Sequence, residues 1–343
     1  MISSSEEPPL GIIVNPKAGS DVRRVLAAAS TTTLEEKISI VRRVVLGAIE
    51  VGVDRVIINH DPHEIARRAT ETLNGIDIDI VHRSLHFNEQ DTIEVAGIQR
   101  REGCGAVVTL GGDGTNRAAV IGWPEMALLP ISTGTNNAFP AFVEPTIAGT
   151  AAGLVATGVV AAADATDVMV VVRVDSDAAT PVGDGLALVD AIVTQDRFVG
   201  SLELFDPRSL RMAVLARSDP SAVGFASLGA RLDISGPALV RFVDPERAER
   251  HVRVATAPGH YATLGVAEAM RLELDEVVEY SGGGVIAYDG ERMWRSQPEQ
   301  CLRFSVCADG PAVIDTEMTM RLAASQGFFE SSGSGFRRSE APP

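Results

Sequence analysis

Five consecutive residues, Gly111-Gly112-Asp113-Gly114-Thr115, stand between an apolar run (Gly105 to Leu110) and a short helical pattern (Asn116 to Ile121). A glycine-rich turn leading from a buried strand into a helix lets backbone approach an oligophosphate, and the helix N-terminus offers N–H donors and the positive end of its dipole. Thr115 suits either a helix cap or a phosphate contact, with Asn116 beside it. Asp113 is pinned where a hydroxyl nucleophile or a phosphate-bound Mg²⁺ would meet it. A tight turn with a solvated aspartate is the competing account of the same residues.

A second polar loop, Ser132-Thr133-Gly134-Thr135-Asn136-Asn137, follows the next apolar run. Loops after successive parallel strands open on one sheet edge, the edge where open α/β sheets bind ligands. Thr133, Thr135, Asn136 and Asn137 can donate to phosphate or ribose, and Gly134 keeps the backbone close. Asn15-Pro16-Lys17-Ala18-Gly19-Ser20 belongs on that edge too: Asn15 and Gly19 shape the loop and Lys17 is a phosphate counter-charge. Much further on, Asp289-Gly290-Glu291 places two carboxylates around a turn dipeptide of hairpin type.

The elements that must position these residues fall into two textures. From residue 10 to about 163, strands alternate with helices: Leu10–Val14, Arg55–Asn59, Ile76–Val81, Gly105–Leu110 and Ala127–Ile131 read as strands. Thr33-Leu34-Glu35-Glu36 is a capping box opening a helix, and Asp61-Pro62-His63-Glu64 predicts another with proline at its first position. Alternating Ile and Asp over 76–81 marks an edge strand. This rhythm predicts an open, mostly parallel sheet with helices on both faces. From 164 to about 310 short apolar runs separated by turns predict a β-rich domain. Residues 311–330 supply a helix that can return to the first domain; 1–9 and the Ser-Gly-rich 331–343 read as flexible.

The whole chain bounds what these residues serve. It has 343 residues, 45% of them hydrophobic, and a net charge of −16, from 30 basic and 46 acidic side chains. Such a field argues against nucleic acid and anionic membrane surfaces as partners. No apolar run reaches the ~18 residues of a membrane span, and the N-terminus lacks the pattern of a secretory signal. Three cysteines without metal spacing fit a reducing compartment, so a cytoplasmic location is expected. The six histidines show no ligand spacing and read as surface or loop residues, with His260 the one candidate to line a cleft. No metal site formed by protein side chains is expected.

The motifs together resemble the NAD kinase and diacylglycerol kinase superfamily. Gly-Gly-Asp-Gly-Thr after a strand resembles its signature, the Asn15-Pro16 loop its opening motif, and Thr133 to Asn137 the Gly-Thr-Asn element of the lipid-kinase branch. Ala287-Tyr288-Asp289-Gly290-Glu291 is similar to that branch's Asp-Gly-Glu element. In motif order and spacing the chain most resembles the bacterial acetoin-catabolism protein X, or ATP-NAD kinase-like, group, over about residues 10–328. The resemblance implies a Rossmann-like α/β domain, a β-sandwich-like domain and a nucleotide cleft between them. It implies ATP and Mg²⁺ held through the phosphates, a small-molecule acceptor such as NAD, and a homo-oligomer as one option. Asp113 would engage the acceptor hydroxyl or the metal. Gly111, Gly112, Gly114, Thr115, Thr133 and Thr135 would hold phosphates, and Asp289 and Glu291 would supply a second carboxylate, as base or through Mg²⁺. One departure stands out: where NAD kinases grip the nucleoside with an amide–acid pair, this chain reads Val189-Asp190, keeping only the acid. A non-catalytic nucleotide-binding protein of a catabolic operon and a lipid kinase are therefore the rival expectations.

Overall fold

A computed structural model describes residues 7–18, 32–82, 85–133, 137–177, 185–199 and 205–330. The first half alternates as β1 (Leu10–Val14), α1 (Leu34–Glu50), β2 (Arg55–Asn59), α2 (Ile65–Thr70), β3 (Asp77–Val81), α3 (Glu89–Arg101), β4 (Ala106–Gly111), α4 (Asp113–Gly122), β5 (Ala127–Ser132) and α5 (Pro145–Ala156). A short α6 (Ala162–Ala165) leads to β6 (Thr166–Val168), then β7 (Val171–Ser176), β8 (Leu186–Ala187), β9 (Asp190–Thr194) and β10 (Leu210–Leu215). The chain goes on through α7 (Leu228–Arg231), β11 (Ala238–Val243), β12 (Arg250–Ala257), β13 (His260–Arg271), β14 (Val277–Ser281), β15 (Gly284–Tyr288), β16 (Glu291–Ser296), β17 (Cys301–Cys307), β18 (Ala312–Ile314) and α8 (Thr316–Ser325).

The first sheet has the order β3-β2-β1-β4-β5-β18-β6, with every neighbour parallel except the final β6. Strands β1, β4 and β5 are buried throughout, which continuous apolar runs require when helices cover both faces. β3 lies at the edge, and its Ile-Asp alternation leaves it half-buried. The chain order reverses between β1 and β4, the switch point at which such sheets leave a crevice.

Local chemistry explains the helices. Thr33 and Glu36 close the capping box that starts α1. α1 and α5 cross with glycine against backbone: a Cβ on Gly47 would lie 2.1 Å from the Thr146 carbonyl oxygen, and one on Gly149 would lie 2.0 Å from that of Val44. The helix expected at Asp61-Pro62 begins later. The Asp61 carboxylate accepts from the backbone N–H groups of His63 and Ile65, and Glu64 takes a left-handed conformation (φ +54°), so the proline sits in a turn before α2. His82 also departs from a surface reading. Its imidazole is buried between Asp91 and Glu94, at 3.0 and 3.4 Å.

The second half is a sandwich of two antiparallel sheets, β12-β13-β11-β10-β9-β15-β16 and β14-β17-β7-β8. Val172, Val174, Phe304 and Val306 from one sheet pack against Val193, Met212, Val214 and Ile286 from the other. Within the stretch that reads as β-rich from 164 on, residues 166–176 divide between the domains: β6 completes the first sheet and β7 joins the sandwich. β18 likewise returns to pair with β5, and α8 follows it back to α5 and α6. The domains share an apolar core in which Ile13, Val95, Val107, Met126, Leu128 and Phe139 meet Val171, Leu186, Leu188, Val189 and Ala226. Among the described residues no helix is long and apolar enough to cross a membrane.

Candidate functional site

β1, β4 and β5 are neighbours in the sheet and parallel, so the loops at their carboxyl ends converge. The first is braced from several sides. The Asn15 backbone N–H donates to the Leu110 carbonyl, its Nδ2 to the Thr115 hydroxyl at 2.8 Å, and its Oδ1 accepts from the Lys17 N–H. Lys37, almost fully buried, donates through Nζ to the Pro16 carbonyl at 2.5 Å. Lys17 Nζ reaches across to the Phe87 carbonyl at 3.0 Å. The only two lysines of the chain thus both brace this loop.

At the end of β4, α4 starts at Asp113, earlier than its hydrophobic pattern suggests, with Gly112 as the cap residue and no side-chain capping bond. The glycine cap therefore supplies no side-chain acceptor of its own to the first-turn N–H groups. Thr115 is not the cap; it lies inside the first turn, where its hydroxyl accepts from Asn15. The glycines have a reason other than left-handed backbone. A Cβ on Gly111 would meet the Thr115 Cβ at 2.4 Å, one on Gly112 the Asn137 Oδ1 at 2.7 Å, and one on Gly114 the Glu291 Oε1 at 2.8 Å. Each glycine makes room for another residue of the site. Asn116 is fully buried: its Oδ1 accepts from the Thr109 hydroxyl at 2.5 Å and its Nδ2 donates to the Gly112 carbonyl, so it supports the loop from beneath instead of lining it.

Asp113 ties the second loop to the third. Both its oxygens accept from the Ala138 N–H at 3.1 Å, and Oδ1 accepts also from the Phe139 N–H at 2.9 Å. Asn137 donates to the Ser132 hydroxyl and leans on Gly112. Thr133 is buried, and its carbonyl accepts from the Thr32 hydroxyl. Gly19, Gly134, Thr135 and Asn136 lie outside the described residues, as do Arg23 and Arg24.

The sandwich contributes the rest. Asp289 and Gly290 both adopt left-handed conformations (φ +51° and +81°), the two-residue hairpin expected of Asp-Gly between β15 and β16. That hairpin does more than turn. Asp289 accepts the backbone N–H groups of Leu188, Val189 and Asp190 at 3.0, 2.7 and 3.3 Å, filling the break between β8 and β9. Glu291, at the first position of β16, reaches Gly114. Asp190 is buried at the start of β9. Val189, the departure from the amide–acid pair, turns its side chain into the interdomain core. His260 lies exposed in the β12–β13 hairpin, bonded to the Thr256 hydroxyl, at the opposite edge of its sheet from Asp289.

Two arginines escaped the sequence reading. Arg117, on α4, is almost fully buried. It donates to the Leu186 carbonyl at 2.9 Å, pairs with Glu89 at 3.0 Å and lies over the Tyr288 ring. Arg217, just past β10, lies 5.2 Å over the Phe139 ring and makes a long hydrogen bond, 3.4 Å, to the Leu188 carbonyl. Both are isolated in sequence, and an arginine outside a motif carries no local signal of its destination.

The electrostatics follow from enclosure. Burial, then the nearby Asp289 charge, pushes the Asp113 carboxyl up to about 7, against the pull of its two backbone donors. Burial also raises Asp289, opposed by its own backbone donors and by Arg117. Arg217 is pulled down by burial, opposed by the charges of Asp113, Asp289 and Asp219. Among the described residues no group of three or more His, Cys, Asp or Glu is placed to hold a metal.

Comparison with known proteins accounts for both halves. Residues 10–159 match the ATP-NAD kinase N-terminal domain, and residues 168–309 match the acetoin catabolism protein X C-terminal domain. Among solved structures, yeast NADH kinase complexed with NADH is similar at a TM-score of 0.49 and 13% identity, covering 97% of this chain and 90% of that one. The acetoin catabolism protein X of Cupriavidus necator is 30% identical over 340 residues, 94% of each chain. That identity across nearly the whole of both chains, joined to the two domain matches, makes the chain a member of the acetoin catabolism protein X family.

Proposed function

We propose that the chain is an ATP-dependent kinase that transfers a phosphoryl group to a hydroxyl of NAD or a related small molecule. The observation that carries this reading is the meeting of the Asp113 loop with the Asp289–Glu291 hairpin, which brings two half-buried carboxylates, Asp113 and Asp289, to a helix N-terminus capped by glycine. The donor set fits an oligophosphate, since α4 presents first-turn N–H groups among side chains already packed against one another. Mg²⁺ held through the phosphates would neutralise charge on the transferred group.

The remaining work falls to the chain. Asn15, Lys17 and Thr115 fix the first loop, and Gly111, Gly112 and Gly114 with Thr133 and Asn137 shape the phosphate cradle. Asp113 takes the proton of the acceptor hydroxyl as the bond from phosphorus to the leaving ADP oxygen breaks and the bond to the acceptor oxygen forms. A carboxyl whose affinity for protons is set near neutrality suits that task. Asp289 sustains that setting, and Glu291 faces the same helix N-terminus. Transfer of labelled γ-phosphate from Mg²⁺-ATP to NAD tests the reading. Asp113→Asn should lower the rate roughly 10²- to 10⁴-fold, and a folded variant with full activity would rule it out.

A second reading has its own observation. Asp113 already accepts two backbone N–H groups, so its carboxylate also serves as a brace between loops. A nucleotide-binding protein without turnover, acting within a catabolic operon, would keep that brace. ATP or NAD binding in calorimetry without any transfer would favour it.

A further inference from the structure

Two arginines, Arg117 buried and Arg217 half-buried, stand at the junction of the domains, and they are partnered very differently. Arg117 has what a buried guanidinium needs: a carboxylate at 3.0 Å, a carbonyl at 2.9 Å and an aromatic face. Arg217 has the aromatic face of Phe139 and one long bond of 3.4 Å to the Leu188 carbonyl, with no ion pair among the described residues. A guanidinium carries five donors in a planar fork matched to phosphate or carboxylate oxygens. Most of the Arg217 fork has no acceptor among the described residues.

Its neighbours say where that fork lies. Phe139 donates its backbone N–H to Asp113, and Leu188 donates its own to Asp289. Arg217 therefore touches one backbone donor of each carboxylate, Phe139 for Asp113 and Leu188 for Asp289, and feels the charges of Asp113, Asp289 and Asp219. Those three negative charges favour the charged guanidinium against its burial, and among the described residues none forms an ion pair with it. Lys17 and Lys37, beside the same loops, each donate to a backbone carbonyl.

We propose that Arg217 is an anion-binding residue of the interdomain cleft, taking phosphate oxygens of the bound ligand through its unfilled donors while Phe139 holds the guanidinium plane. This deepens the kinase reading by assigning the cation that faces the ligand's phosphates beside Asp113, but it concerns binding and stands whether or not transfer occurs. The stacked plane presents one edge of the fork, so bidentate geometry selects phosphate over a lone halide or a neutral sugar.

The test is calorimetric titration of the full chain with inorganic pyrophosphate, with adenosine as a neutral control and citrate as a carboxylate control. Arg217→Met keeps the apolar stem over Phe139, and Arg217→Lys keeps the charge without the fork. Pyrophosphate affinity should fall roughly 10- to 100-fold in Arg217→Met and by less in Arg217→Lys, the range of a lost charge-assisted pair. Adenosine binding and the melting temperature should hold. Equal pyrophosphate affinity in the wild type and Arg217→Met would overturn the assignment. So would a wild type that takes no pyrophosphate, or one whose Arg217-dependent binding favours citrate. The same samples in the transfer assay separate the two claims: pyrophosphate bound through Arg217 without transfer removes the kinase reading alone, and transfer with unchanged KM in Arg217→Met removes this one.

Discussion

At the scale of single residues the site is a negotiation between two carboxylates. Asp113 is held at about 7 by burial and by Asp289, well above its ordinary 3.8. If its carboxylate is the base, kcat/KM rises with pH through about 7 and then levels. Asp289→Asn removes the neighbouring charge, so the rising limb should move to lower pH. That variant also turns an amide donor toward the Leu188 N–H, which costs about 1–3 kcal/mol of stability. A limb that stays in place would show that Asp289 does not act on Asp113. The stability of Asp113→Asn follows the same shift with a fixed sign. Between 3.8 and about 7 the folded chain binds a proton the unfolded chain has lost, so wild-type stability falls as pH rises through that window. Asp113→Asn escapes that fall. Its denaturation midpoint relative to wild type should therefore climb from pH 4 to pH 8, and a flat difference would contradict the raised carboxyl.

At the scale of elements, the turn from β4 into α4 is built by close approach. The three glycines of the Gly-Gly-Asp-Gly run differ in what they clear, and so should their alanine variants. Gly111→Ala drives a methyl to 2.4 Å from the Thr115 Cβ, an atom near the backbone that cannot swing aside, and should destabilise by roughly 1–3 kcal/mol. Gly114→Ala meets only the end of the Glu291 side chain, so it should fold almost normally and lose activity by displacing that carboxylate. Chemical denaturation beside the transfer assay separates the two; equal stability loss in both would refute the distinction. The sequence carried much of this element but not its mechanics. The order of strand, glycines and helix was legible because continuous apolar residues and helical spacing are local signals. The reasons for Gly112 and Gly114 were not, because Asn137 and Glu291 lie 25 and 177 residues downstream of them. The division of 166–176 into two strands of different sheets was hidden likewise, since both pieces are short and their partners, β18 and β17, lie more than a hundred residues on.

At the scale of the molecule, the two halves are one mechanical object because the site and the interdomain core are interleaved. The Asp113 helix also carries Arg117, whose guanidinium crosses to the Leu186 carbonyl at the start of β8 and lies over Tyr288, the residue before Asp289. Val189 and Leu188, between the strands that Asp289 joins, pack in that core with Ile13 and Phe139. The position that looked like a lost nucleoside contact is thus part of the joint. It follows that loosening the joint should disturb the site before it unfolds either domain. Arg117→Leu takes the partner from a Glu89 that solvent still reaches and leaves a buried carbonyl with one donor fewer, a loss of about 1–3 kcal/mol. Because β18 and α8 keep the first sheet attached to the end of the chain, the variant should remain folded at low temperature. Its calorimetric unfolding should then separate into two transitions where the wild type shows one, and Asp113, relieved of part of its enclosure, should titrate closer to an ordinary carboxyl. A single transition with an unchanged pH profile would mean that the apolar core alone couples the halves.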